Sequence, residues 1–404
     1  ASPVLERLQN TEFPLSNTGI APAPGATRVA YTMSTDHDID VTTLCLEFDG
    51  ALCASTAGAT PYFPDGLHFL IDRMYLLIDG KQQMVWEDFS NGYELALLQH
   101  DVDAAQYDEG EEVFGRGSRI DRLAWSAAAR SYKIPLGFLF GDLHWMPLNA
   151  LWRGRTVELV FDFLASNLCL NANAASTSPS WSATDSRITA DSVTLDTATL
   201  KIWHDDAVKD NFSFRPYVWV QNRSAIVLAA TVTNVLLVNY HESVKELYMF
   251  LQTTANEATV TVVDRQKIYN ADLTGWRVKI GDHFYPINSE QVDVSTTALS
   301  YKAYSDYLRY VNGLRVSFGA AQDSAITWLE WSGQAVDGVN RQLMYVPFLK
   351  DGDPRLHSGI ALSPGTHHQI ELYDTAGLGV ASTLRYYIML DVEYHLTDKG
   401  VHEV

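Results

Sequence analysis

The sequence is short of cysteine, of positive charge and of long apolar runs, and each shortage removes a class of protein. Three cysteines in 404 residues (Cys45, Cys53, Cys169) contain no CxxC pair and leave at least one unpaired, so no disulfide framework is present. Folding in a reducing cytosol is the expectation. The 29 Lys and Arg face 49 Asp and Glu, for a net charge of −20. Phosphate backbones select clustered cations, so direct contact with nucleic acid is not expected. The longest apolar stretch, 225–238, is interrupted by Thr231, Thr233 and Asn234 and falls short of the roughly 20 residues of a membrane-spanning helix. The first residues, Ala1-Ser2-Pro3-Val4-Leu5-Glu6-Arg7, show no basic-then-apolar leader. Without such a leader, the sequons at Asn211 and Asn222 carry little meaning.

Familiar catalytic patterns are missing as well. There is no G-x-S-x-G, H-E-x-x-H, Walker loop or dinucleotide fingerprint. Asp36-His37-Asp38-Ile39-Asp40 begins like a calcium loop, but Val41 stands where glycine is needed and no Glu closes it. A solvated strand end is the plainer reading. Asp108, Glu109, Glu111 and Glu112 read as a loop surface. His367 and His368 alternate across a strand, cannot easily share a metal, and are expected at the surface. Trp145 and Trp152 near Asp142, His144 and Glu158 could imitate a sugar cleft, although indole packing in a core or interface is the simpler assignment. Neither catalytic nor cofactor-binding nor metal-binding residues are expected, and the chain is not expected to be an enzyme.

What is present is β-forming sequence: 11% aromatics, 47% hydrophobic residues and frequent Val, Ile and Thr. Residues 1–26 read as an arm. Ser2 would cap a short helix with Pro3 at its first position and Val4, Leu5 and Leu8 as an apolar stripe, and Pro14, Pro22 and Pro24 then keep the chain extended. Strand patterns follow at 27–34, 41–49, 67–79, 82–88, 132–140, 155–164 and 198–205. Asp79-Gly80 marks a tight hairpin turn. After a charged connector, 205–211, the pattern resumes at 217–220, 225–238, 244–252, 258–263, 275–280, 284–287, 343–349, 359–362, 368–373 and 383–395. Helical spacing occurs once in each half, at 92–107 and 296–311.

The halves repeat. Leu76–Gly80 aligns with Val278–Asp282, Ala150–Gly154 with Ala361–Gly365, and Thr199–Trp203 with Thr383–Tyr387, and the helical stretches start at matching places, 92 and 296. The offsets place a 27-residue excess in the first half, within a Ser/Thr/Asn-rich loop at 171–197. The expected fold class is all-β: two tandem eight-stranded jelly rolls, each with one helix and long loops between strands. The expected domains are the arm 1–26, a first roll 27–207 and a second roll 208–404. The stretches 108–131, 171–197 and 312–341 would form a crown at one end, opposite the arm.

Tyr132–Phe140, Met146–Leu151, Thr156–Phe161 and Ser243–Gln252 resemble segments of the double jelly-roll major capsid proteins of tailless internal-membrane phages, virophages and large eukaryotic DNA viruses. His357-Ser358-Gly359 departs from the Pro-Ser-Gly turn of that family, and Tyr345-Val346-Pro347-Phe348 is atypical. The resemblance implies a homotrimeric, pseudo-hexagonal capsomer that tiles an icosahedral virion shell assembled inside the host cell. Its implied partners are neighbouring capsomers, minor capsid or penton proteins and, in some branches, an internal membrane beneath the shell. The alternative reading of the same pattern is a two-domain β-sandwich glycan-binding protein or glycan-acting hydrolase.

Overall fold

A computed structural model describes residues 4–13, 27–99, 119–209, 212–254, 273–285, 292–293, 344–348 and 359–403, apart from isolated positions within these spans. The acidic run 108–112, the second helical stretch 296–311, the strand at 258–263 and the stretch 312–341 lie outside the described residues.

The first half contributes β1 (Val4–Phe13), β2 (Thr27–Met33), β3 (Asp38–Ala54), β4 (Ile71–Ile78), β5 (Lys81–Glu87), β6 (Arg130–Pro135), β7 (Val157–Phe163) and β8 (Asp185–Leu195). The second contributes β9 (Val218–Ala225), β10 (Val232–Leu236), β11 (His241–Thr253), β12 (Gly275–Ile280), β13 (His283–Tyr285), β14 (Met344–Pro347), β15 (His368–Tyr373) and β16 (Ser382–Leu390). In the first half the sheets run β1-β8-β3-β6 and β2-β7-β4-β5; in the second, β9-β16-β11-β14 and β10-β15-β12-β13. Each strand of one half thus occupies the place of the strand eight labels later. All pairings are antiparallel. Two facing sheets built on these four-strand paths, with short strands added at their margins, and joined by these crossing connections are a jelly roll, a closed-up arrangement that hides most strand edges. The chain therefore folds as two tandem jelly rolls.

Alternation along the strands explains the layers. Val29, Tyr31 and Met33 of β2, Leu44, Leu46 and Phe48 of β3, Met74, Leu76 and Ile78 of β4, and Leu159, Phe161 and Phe163 of β7 form the core of the first roll. Phe48, Phe163 and Trp181 meet edge-on, with ring centroids 5.6–6.0 Å apart. The β4–β5 turn matches its sequence signal: Asp79 (φ 51°) and Gly80 (φ 73°) both take the left-handed conformation of a type I′ hairpin.

Four expectations are corrected. Val4–Phe13 is not a capped helix on a detached arm. It is the outer strand of the first roll, with Arg7 opposite Val193 and Phe13 opposite Ile188. The pattern Val-x-x-x-Leu fits either period, and pairing with β8 decides for the strand. The 171–197 stretch is not a loop throughout, because it contains β8, the strand between β1 and β3, with Ile188 and Ala190 in the core. Thr197–Val208, expected as a strand over 198–205, is helix α4; its counterpart is therefore not β16. The true counterparts are β7 with β15, starting at Val157 and His368, and β8 with β16, starting at Asp185 and Ser382. The offset falls between these two pairs, so the first-half excess is shorter than the sequence alignment implies and lies within 164–184. Finally, the first roll holds more than one helix: α1 (Phe89–Gln99), α2 (Arg119–Ser126) and α3 (Leu148–Trp152) precede α4.

Candidate functional site

The residues weighed and set aside as candidate chemistry in the sequence lie apart and serve structural tasks. Asp38 is buried rather than solvated (1% exposed), and its Oδ1 accepts the N–H groups of Asn149 (2.8 Å) and Ala150 (3.4 Å) at the start of α3. Burial pushes its pKa up to about 6, against the pull of those hydrogen bonds. Asp40 instead accepts from Thr42 and pairs with Arg7 at 3.1 Å, and His37 meets Thr194 Oγ1 at 3.0 Å. These side chains do not converge on one point. Among the described residues no group of three or more His, Cys, Asp or Glu could hold a metal ion.

The candidate sugar cleft also disperses. Trp152 is fully buried and donates Nε1–H to the Thr397 carbonyl of the second roll at 2.9 Å. Trp145 sits on a short strand opposite Asp40, and Glu158 lies on the outer face of β7 beside Thr32 and Leu77. Asp142 accepts the Arg215 N–H at 2.7 Å. His367 is exposed, but His368 is buried (4%), with Nε2 3.2 Å from the Ser363 carbonyl, which corrects its surface assignment. None of the three cysteines is in a disulfide; burial raises Cys45 to about 11 and pushes the Cys53 thiol up as well, so neither is an activated nucleophile.

What the chain does build is a packed, hydrogen-bonded junction between its rolls. Along β11, Leu247, Met249 and Leu251 face the core of the second roll, while Tyr248 and Phe250 join the core of the first. β16 alternates in the same way: Leu384, Tyr386 and Ile388 point inward, Tyr387 and Met389 toward the first roll. This sheet is therefore buried on both faces, which accounts for the unbroken apolar run Leu247–Leu251.

The covering surface comes from β5, α1 and the turn Gly137–Phe140. Trp86 Nε1–H donates to the Tyr217 carbonyl (2.9 Å), and Trp219 Nε1–H donates back to the Glu87 carbonyl (2.7 Å). At the centre lies Asp88, held at φ 45° between β5 and α1. Its Oδ2 accepts the Tyr387 hydroxyl (2.6 Å) and Arg385 Nη1 (3.2 Å) from the second roll. Burial together with the Asp88 carboxylate holds the Tyr387 hydroxyl well above the ordinary tyrosine range. Backbones approach closely here: a Cβ on Gly141 (φ 64°) would lie 1.7 Å from the Arg215 carbonyl oxygen, and one on Gly92 2.0 Å from the Trp219 ring. Sequence reading misses these residues, although Arg385 inside the apolar run Thr383–Leu390 is a signal that a buried cation needs a partner.

Among the described residues, no element of the second roll pairs with the corresponding outer face of the first roll. That face carries Glu47, held by Lys133, by Arg187 Nη2 (3.1 Å) and by Thr189 Oγ1 (3.0 Å), while Arg187 Nη1 reaches Asp49 (2.6 Å) and Asp185 (3.2 Å). Two equivalent faces thus differ in chemistry, one apolar and closed, one ionic and, among the described residues, without a second-roll cover.

The ends of the rolls differ too. Short links, 34–37 between β2 and β3, Asp79-Gly80, 237–240 and Gly281-Asp282, all join strands at the end where β1 begins. The longer connections 55–70, 88–129 and 164–184 leave from the opposite end, while one long connection, 136–156, returns at the same end as the short links. No helix among the described residues is long and apolar enough to cross a membrane.

No family model and no curated protein matches this sequence. Solved structures do. The PBCV-1 virus capsid superposes with a TM-score of 0.61 at 14% identity, over 99% of this chain and 96% of that one. The Faustovirus major capsid protein gives 0.58 at 9% identity, over 100% and 91%. The mavirus major capsid protein gives 0.53 at 8% identity, over 98% and 90%. At these identities the likeness concerns the fold, and it extends over both rolls: the chain has the double jelly-roll fold seen in these viral capsid proteins.

Proposed function

We propose that the chain is a major capsid protein, a structural building block without catalytic role, whose homotrimer forms a pseudo-hexagonal capsomer in an icosahedral virion shell. The observation that carries this reading is the pair of equivalent sheet faces. Within one chain, β5 and α1 of the first roll cover the outer face of β9-β16-β11-β14. The equivalent face, β1-β8-β3-β6, has no such cover among the described residues and is left for another copy, whose β13 corresponds to β5. Such a head-to-tail contact closes after three copies when each supplies two of six similar units. The end-to-end likeness to capsid structures supports the same reading, and the acidic surface argues against direct contact with the genome. Division into rolls 27–207 and 208–404, with the boundary at the end of α4, belongs to this proposal, with β1 added to the first roll. Neighbouring capsomers, minor capsid or penton proteins, and a membrane beneath the shell would be the partners.

Light scattering tests it. The native protein should report three times the 45.1 kDa of a single chain. The open face is ionic, so the trimer should weaken as salt rises. A monomer at every concentration and ionic strength would refute the proposal.

A further inference from the structure

Among the described residues β10 pairs on one side only, with β15, and so forms a sheet edge. The bonds from Leu237 N–H to the His368 carbonyl and from Asp374 N–H to the Thr231 carbonyl fix which backbone groups face β15. Odd-numbered residues point to β15, so the backbone groups of Val232, Asn234 and Leu236 point to the open edge. The Leu236 carbonyl is approached there by the Tyr386 hydroxyl at 3.4 Å.

The side chains along this edge are apolar where an edge is ordinarily guarded. Val227 (60% exposed), Val232 (40%), Leu236 (56%), Val238 (58%) and Tyr240 (54%) are among the largest exposed apolar groups. No charged residue occurs from Ala225 to Tyr240. The counterpart strand of the first roll makes the contrast. At the positions matching Val232, Asn234, Leu236, Val238 and Tyr240 stand Arg28, Ala30, Thr32, Ser34 and Asp36. Charge on an exposed edge blocks pairing with another chain; β2 carries that protection and β10 lacks it.

The occupant is indicated by charge and by order of residues. Two chains of −20 each repel one another over most of their surface. At β10 they can meet without opposing charges. The sequence Val232-Thr233-Asn234-Val235-Leu236 is also close to symmetric about Asn234. Antiparallel pairing with itself sets Val232 against the second copy's Leu236, and Asn234 against its own equivalent.

We infer that β10 is a docking edge for β10 of a second copy, joined across a twofold axis into one continuous sheet. Five residues supply about six backbone hydrogen bonds, a weak contact on its own that gains strength when repeated across a lattice. The pairing is read from the strand alone; under the shell proposal, its place is between trimers, since a twofold contact is distinct from a threefold one.

A cysteine at the symmetry centre tests it. Asn234→Cys would place two thiols on a hydrogen-bonded pair with Cα atoms about 5.5 Å apart, inside the disulfide range. Mild oxidation should give a covalent dimer with twice the 45.1 kDa of one chain. The matching substitution on the guarded edge, Ala30→Cys, should remain uncrosslinked. Absence of the N234C dimer, or equal yield from A30C, overturns the inference, as does capture of a different polypeptide in its place. Asn234→Pro removes only an edge-facing N–H, so native-like circular dichroism with lost association is expected; unchanged association would count against β10. Because trimer mass is measured separately, a crosslink without a trimer would sink the shell proposal while leaving the edge pairing intact.

Discussion

Replacing Asp88 by alanine removes the carboxylate that Tyr387 and Arg385 of the second roll share. Both charged side chains are largely shielded, 11% exposed for Arg385 and 15% for Asp88. Breaking a buried ion pair from one side costs about 3–5 kcal/mol, because the remaining charge keeps its desolvation penalty. For 404 residues melting as one unit, this lowers Tm by roughly 4–6 °C, and by more if the rolls unfold separately. Alanine also strains a backbone held at φ 45°, so Asp88→Asn serves as companion, since asparagine tolerates the left-handed region while losing the charge. The double variant Asp88→Ala, Arg385→Met should recover part of the loss by removing the stranded cation. Calorimetry on the single and double variants reads the coupling directly. If D88A shifts Tm by less than about 1 °C, or if adding R385M recovers nothing, Asp88 is not the centre of the junction.

Two further outcomes follow from the first roll. The folded-state pKa of Asp38, about 6, lies above the ordinary 3.8, so its contribution to stability is complete below about pH 4 and is lost as the pH rises through 6. Asp38→Asn keeps an acceptor for Asn149 and Ala150; thermal melts should show it more stable than the parent at pH 8, by on the order of 3 kcal/mol, and no more stable at pH 4. An N-terminal strand that matters would show in truncation. Deleting residues 1–13 uncovers the β8 edge and should lower Tm, and deleting 175–192 removes most of β8 and should prevent the first roll from folding, as soluble yield and circular dichroism would report. A stable, folded 175–192 deletion would contradict the order β1-β8-β3-β6.

Composition and local pattern already determine the class of this protein. Strand alternation, the Asp79-Gly80 turn and the tandem spacing specify two β-rich halves, because side-chain period and turn conformation are local properties. The junction could be glimpsed in Leu247–Leu251, too apolar for a sheet with one wet face. Tertiary structure decided the rest. Val4–Phe13 and Asp185–Leu195 have weak patterns of their own, and each becomes a strand through pairing with the other from opposite ends of the first half. Thr199–Trp203 resembles a strand by composition, yet forms helix α4 once β8 supplies the pairing that it would have provided. Asp38 and His368 read as surface residues because their burial depends on α3 and on the chain near Ser363, neither adjacent in sequence. Which of two equivalent faces is closed, and which edge is unguarded, depends on how distant strands are brought side by side, and a linear pattern does not contain that information.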